Sequence, residues 1–267
     1  MTDPRPTDPG TTLPALFLGH GAPTLVFEDH PAARFLAGLP DLLPRPRAIL
    51  AVSAHFEADR PTLGAGAQPP TIHDFAGFPA GLRAIRYPAP GDPALARRAA
   101  GLLEAEGFEV ELDPAAGFDH GVWVPLAIAW PAADLPVVTL SVVPTRDAAW
   151  HLRLGAALRP LRAEGVLILG SGSPTHNLGA VRWNVREPAP EAFAFADALG
   201  EALARGDRAT LAAWRERLPC AGWNHPTPEH LLPLHVAVGA GTPGRPGRRL
   251  HRSVAHRSLV LECWALD

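Results

Sequence analysis

The sequence predicts an α/β fold, a single-domain sandwich with a central, mostly parallel sheet flanked by helices. Short apolar runs without polar/apolar alternation are typical of strands that are covered on both faces. Segments with helical patterning separate these runs, as expected for a parallel sheet. The 267 residues show no internal repeat and no break in composition, so one domain is the simplest organisation.

Four strands are predicted, at 15–19, 48–54, 136–143 and 165–172. Helical segments are predicted at 92–107, 146–161 and 189–218, the last as a pair of helices. In the first of these, Asp92 is the expected N-cap, Pro93 fits the first turn and Gly107 ends the helix. Residues 1–14 are polar and rich in proline, so we expect a disordered leader before a domain at 15–267.

Composition excludes several classes of function. The formal charge is −3 and no long basic tract occurs, which argues against a nucleic-acid partner. No apolar run reaches the roughly 20 residues that span a bilayer, so a cytoplasmic protein without membrane contact is expected. The chain has no lysine and two distant cysteines, which excludes lysine Schiff bases, P-loops and a disulfide framework.

Histidine is the unusual residue: the chain has 12 histidines and one tyrosine. His20 follows the first predicted strand, between Gly19 and Gly21, and His55 follows the second. The carboxyl ends of parallel strands lie at one edge of the sheet, where α/β proteins bind ligands. Two imidazoles at that edge predict a metal site.

The segment 225–241 supplies the candidates for a third ligand, which are His225, Glu229, His230 and His235. Thr227 is a possible helix N-cap, whereas Pro233 indicates either a kink or a later helix start. Neighbouring residues on a helix point about 100° apart, so only one of Glu229 and His230 is expected to face the metal. His235 lies in an apolar stretch and is expected in the core.

Two further histidines, His120 and His176, lie in short polar segments. "GSGS" after the fourth strand is glycine-rich, but it lacks the spacing and the lysine of a phosphate-binding loop. The two histidines are alternatively acid/base groups that face a metal-bound substrate. The Pro/Gly-rich segment 57–91 is expected to be a loop over one edge of the sheet. Its part 69–79, followed by 86–92, forms either a structural loop or a pocket wall that offers Phe75, Phe78 and Tyr87 to an aromatic substrate.

Seven motifs in this order and spacing resemble the class III extradiol ring-cleaving dioxygenases, in the 4,5-DOPA-dioxygenase-like branch of bacteria and plants. They are "GHGAP", "VSAHF", "PPTIHDFAGFP", "YPAPG", "GFDHGVWVPL", "THNL" and "NHPTPEHLLPL". The resemblance covers roughly residues 15–266. It implies a catalytic domain that cleaves a substituted, DOPA-like catechol with O2 and requires Fe2+. Zn2+ in the purified protein and a homo-oligomer are further expectations.

The resemblance also implies roles for individual residues. His20, His55 and His230 match the family's metal ligands, with Glu229 as the alternative to His230. His176 matches the acid/base histidine and His120 another pocket histidine.

The chain also departs from the family pattern. Phe56 stands where relatives commonly have tryptophan. Arg83 stands where relatives often have tyrosine, and it is either a partner for a substrate carboxylate or a solvated surface residue. A zinc hydrolase and a non-catalytic binding protein are the alternative functions.

Overall fold

The computed structural model describes residues 12–183, 185 and 187–267. The strands are β1 (Ala15–Gly19), β2 (Ala48–Glu57), β3 (Thr62–Gly64), β4 (Glu111–Asp113), β5 (Val137–Val142), β6 (Val166–Gly172), β7 (Arg248–Ala255) and β8 (Leu259–Leu266). The helices are α1 (Pro31–Gly38), α2 (Pro93–Ala105), α3 (His120–Ala129), α4 (Ala148–Leu158), α5 (Pro160–Ala163), α6 (Pro190–Ala204), α7 (Arg208–Ala212), α8 (Trp214–Arg217), α9 (Ala221–Asn224) and α10 (Leu232–Ala240). Short 3-10 helices occupy Pro23–Phe27, Leu39–Leu42, Ala80–Ala84 and Leu178–Ala180. Within the described part of the chain, no helix has the length and apolar character needed to cross a membrane.

The predicted α/β sandwich is confirmed. The eight strands have the order β4-β3-β5-β2-β6-β1-β8-β7, and the central strands β5, β2, β6 and β1 run parallel. Alternate residues of each central strand face opposite layers: Leu50 packs on the side of α2, α4 and α10, and Ile49 packs on the side of α3. Both faces of these strands are therefore covered, which explains their continuous apolar runs.

Four of the eight strands found in the described part of the chain were not predicted. β3 and β4 have three residues each, too few for a periodic pattern. β7 and β8 form a C-terminal hairpin, and β8 pairs antiparallel with β1. The turn of this hairpin places His256 and Arg257 at positive φ. Such turns usually carry glycine, asparagine or aspartate, and because neither residue is one of these, no turn was predicted there.

Two expected boundaries shift. Leu13, inside the predicted leader, is buried, and its carbonyl accepts a hydrogen bond of 2.6 Å from Arg162 Nε. Residues 1–11 of that leader lie outside the described residues. Pro233 marks a later helix start and not a kink, because α10 begins at Leu232 with the proline in its first turn.

Three arginines bind the last carbonyl groups of α10. Arg162 donates to Ala240, while Arg159 and Arg208 both donate to Gly241, at 2.9–3.0 Å. These contacts satisfy carbonyls that have no partner within the helix, and the positive charge stabilises the negative end of the helix dipole. They fix α10, whose preceding turn carries His230.

A buried histidine on α4 predicts how stability depends on pH. His151 Nδ1 donates to the Asp147 carbonyl at 2.8 Å, and Nε2 accepts from the Val143 N–H at 3.2 Å. Burial lowers the pKa of His151 from 6.5 to about 4. Above pH 6.5 the residue is neutral in both states, so its contribution to stability is complete. As the pH falls toward 4, only the unfolded chain takes up the proton, and about 3 kcal/mol of stability is lost.

We therefore expect His151→Gln to lose less unfolding free energy than the wild type between pH 7.5 and pH 4.5, as measured by urea unfolding. Parallel pH profiles for the two proteins would contradict this assignment.

Candidate metal centre and substrate cavity

Three histidines from distant parts of the chain meet at the carboxyl edge of the sheet. His20 directly follows β1, His55 lies near the end of β2, and His230 lies in the turn before α10. His55 Nε2 is 3.2 Å from His20 Nε2 and 3.3 Å from His230 Nε2. The structure thus brings together the three residues that the sequence offered as metal ligands.

Hydrogen bonds at Nδ1 fix the tautomer and the orientation of the His20 and His230 rings. Ser171 donates its hydroxyl to the Gly121 carbonyl, so His20 Nδ1, 3.1 Å from Ser171 Oγ, must be the donor in that pair. His230 Nδ1 donates to Glu229 Oε1 at 2.8 Å. His20 and His230 therefore carry the proton on Nδ1 and direct the Nε2 lone pair toward His55 Nε2.

The donor set fits a divalent metal ion. Two nitrogens bound to one ion at about 2.1 Å lie roughly 3.0–3.4 Å apart for angles between 90° and 109°, which brackets the observed spacing. Burial lowers the pKa of His20 and His230 well below the usual value and that of His55 to about 3. Neutral imidazoles that aim lone pairs at one point repel each other unless a cation lies between them, and the neutral form is the one that binds metals.

Glu229 is the alternative ligand that the sequence left open. Its side chain is 14% exposed, and Oε1 accepts from both His230 Nδ1 and the Thr227 hydroxyl. This places Glu229 behind His230, in the position from which a carboxylate orients a metal-bound imidazole.

Gly172, at the end of β6, allows the backbone of His230 to approach the sheet. A Cβ added at Gly172 would lie 2.2 Å from the His230 carbonyl oxygen. The same carbonyl accepts a hydrogen bond from Ser173 N–H at 2.9 Å. The glycines of "GSGS" therefore serve close packing, which explains why they lack the spacing of a phosphate-binding loop.

We expect Gly172→Ala to displace His230, to destabilise the protein by about 1–3 kcal/mol and to weaken metal binding at least about tenfold. Gly101→Ala is the matched control, because a Cβ there meets nothing within 4 Å and alanine favours the helix. Denaturant unfolding and metal titration measure both effects. Equal behaviour of the two variants would contradict this role of Gly172.

Asp74 is a site residue that sequence reasoning missed. Its Oδ1 accepts from the backbone N–H of His120 at 3.0 Å, and its Oδ2 lies 2.9 Å from His120 Nδ1 and 3.5 Å from His55 Nδ1. Burial raises the pKa of Asp74, but hydrogen bonds and charge attraction from His120 outweigh burial and lower it to about 2. The carboxylate is therefore ionised, and it accepts the hydrogen on His120 Nδ1.

The position of Asp74 follows from how its loop docks on α3. Ile72 N–H donates to the Phe118 carbonyl and Phe118 N–H donates to the Pro70 carbonyl, both at 2.8 Å. Trp123 Nε1 donates to the Ile72 carbonyl at 3.1 Å. The only sequence signal for Asp74 was its place in "PPTIHDFAGFP". Nothing in the local sequence distinguishes a functional carboxylate in a polar loop from a solvated one.

His176 lies in the loop after β6 and stacks flat on His230, with ring centroids 3.3 Å apart and an interplanar angle of 8°. Its backbone N–H donates to the Asn224 carbonyl at 3.0 Å. Burial lowers the pKa of His176 to about 4, so the ring is neutral near pH 7 and able to accept a proton.

A cavity of about 550 Å³ opens over the three histidines. Cavities of about 300–1,000 Å³ hold small organic ligands. Phe75 and Phe78 line it, together with His120 and His176. The apolar wall also includes Leu178, Val181, Trp183 and Leu259, which the sequence analysis did not single out.

Tyr87 and Arg83 do not line this cavity, which corrects their expected substrate contacts. Tyr87 is 2% exposed, packs against Phe118 and donates its hydroxyl to the Trp130 carbonyl at 3.1 Å. Tyr87 is therefore a core residue. Its hydroxyl is the only polar group of the side chain, and the Trp130 carbonyl satisfies it in the core. Arg83 is exposed and donates to the Phe75 carbonyl, in line with the alternative of a solvated surface arginine.

Comparisons with known proteins show which family the chain belongs to. The family profile described as the catalytic LigB subunit of aromatic ring-opening dioxygenase matches residues 16–258. The 4,5-DOPA dioxygenase extradiol of Portulaca grandiflora is 42% identical over 251 residues, 92% of this chain and 92% of that protein. The enzyme of the same name from Escherichia coli K12 is 42% identical over 243 residues, 86% of each chain. A crystal structure of an uncharacterized Escherichia coli K12 protein superposes with a TM-score of 0.81 at 36% identity, over 96% of this chain and 100% of that one. The chain therefore belongs to the LigB family, the class III extradiol dioxygenases that open aromatic rings, as its motifs predicted.

Proposed function

We propose that this protein is an Fe2+-dependent extradiol dioxygenase that cleaves the ring of a substituted catechol. The observation that carries the proposal is the convergence of three neutral imidazoles, His20, His55 and His230, on one point in a cavity lined by aromatic side chains. Imidazole ligands suit iron and zinc alike. Zn2+ in a purified sample is therefore compatible with the proposal.

His20, His55 and His230 would hold Fe2+, which would supply Lewis-acid chemistry that favours an ionised diol and redox chemistry toward O2. In the overall reaction the carbon–carbon bond beside the diol breaks. Both atoms of O2 enter the product, which carries one aldehyde and one carboxylic acid on the opened chain. O2 is the only oxidant that this balance requires.

His176 moves the proton in this proposal. Its neutral ring lies in the cavity wall beside His230, and it accepts a proton from a diol hydroxyl. The same ring returns that proton to the product as the ring opens. Proton transfer by a positioned side chain contributes about 10²–10⁴-fold to rate.

His120 binds and orients the diol. Asp74 accepts the hydrogen on His120 Nδ1, and His120 Nε2 is the ring atom that hydrogen-bonds a substrate oxygen. Glu229 accepts the hydrogen on His230 Nδ1 and so orients the His230 ring. His230, and not Glu229, is the metal ligand in this proposal. The aromatic side chains of Phe75 and Phe78 pack on the ring and exclude water from the reacting atoms.

The test is anaerobic loading with Fe2+, followed by air and a panel of catechols that includes L-DOPA. We expect O2 uptake in a 1:1 ratio with catechol and a yellow semialdehyde chromophore. The zinc-loaded protein is the control and should consume no O2. Iron-loaded protein that bound every catechol but consumed no O2 would overturn the proposal.

A further inference from the structure

The loop that carries His176 is held through its backbone. Three hydrogen bonds join the loop 174–177 to the segment 223–225. They run from His176 N–H to the Asn224 carbonyl at 3.0 Å, from Asn177 Nδ2 to the Trp223 carbonyl at 2.6 Å, and from His225 Nε2 to the Pro174 carbonyl at 2.8 Å. The His176 ring stacks on His230 but makes no hydrogen bond to another described residue, so its position depends on how this backbone is held.

His225 is a candidate metal ligand that the structure places outside the metal site. It is fully buried and does not line the cavity. A carbonyl oxygen can only accept a hydrogen bond, so His225 Nε2 carries the proton and donates it to Pro174. Burial lowers the pKa of His225 to about 3. The ring is therefore neutral near pH 7, with its single hydrogen directed at the loop that carries His176.

Helices outside the site hold the His225 ring in turn. It packs against Phe195 of α6 and Trp214 of α8, with ring centroids 5.4 and 5.5 Å away. The neighbouring Asn224 side chain donates from Nδ2 to the Glu191 carbonyl of α6 at 2.9 Å. These helices therefore fix the segment 223–225, and this segment fixes the loop 174–177.

We propose that His225 is a positioning residue: its Nε2–H holds the Pro174 carbonyl and thereby keeps the His176 ring stacked on His230 in the cavity wall. Proton transfer needs a hydrogen-bond distance between the two groups, and a misplacement of about 1 Å can cost about 10²-fold in rate. The inference rests on the proposed function for the role of His176. It goes beyond that function by assigning a buried residue that touches neither the metal nor the substrate.

Two variants separate this hydrogen bond from packing. His225→Phe keeps a ring between Phe195 and Trp214 but has no donor, whereas His225→Gln offers an amide N–H in place of Nε2–H. For the iron-loaded enzyme we expect His225→Phe to reduce kcat about 10–100-fold. Its KM for the catechol and its metal affinity should equal those of the wild type, because the metal ligands are unchanged. His225→Gln should recover most of the lost kcat.

His151→Phe is the matched control. His151 is an equally buried histidine whose ring nitrogens also bond backbone groups, and it does not line the cavity. Both phenylalanine variants should lose stability, but only the change at His225 should lower kcat per folded, metal-loaded chain. An equal loss of kcat in His225→Gln and His225→Phe would show that the hydrogen bond does not position the loop, and it would overturn the inference.

NMR of the zinc-loaded protein gives a readout that does not depend on turnover. With 13C-labelled histidine rings, the His176 signals are those that disappear in His176→Phe. The stack on His230 gives these signals a ring-current shift, which we expect to change in His225→Phe and to persist in His225→Gln.

The two measurements distinguish this inference from the proposed function. His176 signals that stayed unmoved in His225→Phe would overturn the inference. Displaced signals with wild-type kcat would support the positioning role and defeat the proposed part of His176 in the reaction. If the iron-loaded wild type cleaved no catechol, the proposed function would fail, and the NMR comparison would still decide whether His225 positions His176.

Discussion

His55→Ala is expected to lose metal binding by more than about 100-fold and, with it, ring cleavage. Loss of residues that merely orient a ligand costs about 10–100-fold in metal affinity, and this variant removes a ligand itself. His55 is the central member of the cluster, because its Nε2 lies within 3.3 Å of both other Nε2 atoms. Metal content after dialysis and O2 uptake with catechol measure the two effects.

His251→Ala is the control for removal of an imidazole elsewhere. His251 is half-buried, stacks on Phe35 and hydrogen-bonds Ser253 on β7. The metal content and turnover of the His251→Ala protein should equal those of the wild type. A His55→Ala protein that retained one tightly bound metal ion per chain would contradict the assignment of His55 as a ligand.

His176→Phe is expected to retain the metal and lose about 10²–10⁴-fold in kcat. A phenyl ring keeps the flat stack on His230 but has no nitrogen that accepts a proton. His176→Ala, which also removes the stacked ring, should show the same loss of turnover. The comparison separates proton transfer from packing.

The measurements are single-turnover rates and metal stoichiometry at saturating iron. Asp74→Asn provides the related test, since it removes the charge that fixes the His120 proton while preserving size. We expect it to reduce kcat with little change in metal content. Wild-type kcat in His176→Phe would show that another group moves the proton.

The sequence was sufficient to predict the centre of the fold. The four central strands are continuous apolar runs, because both faces are buried, and such runs are visible without a structure. His20 and His55 lie at the ends of two of these strands. Their meeting therefore follows from the geometry of a parallel sheet.

The outer parts of the sheet and much of the cavity could not be predicted in this way. β3 and β4 are defined by their partners and not by their own patterns. Asp74 acts through a contact with His120, 46 positions away in the chain, and no local pattern encodes that contact. Tyr87 was expected in the cavity because it is aromatic, but its hydroxyl finds a backbone partner in the core.

The most direct test is a crystal structure of the metal-loaded protein with anomalous diffraction recorded at the metal edge. We expect one ion per chain, about 2.1 Å from Nε2 of His20, His55 and His230. Two other clusters in the described part of the chain have suitable donors, which are His55, Asp74 and His120, and His176, Glu229 and His230. An ion held by either of these sets, without His20, would contradict the account.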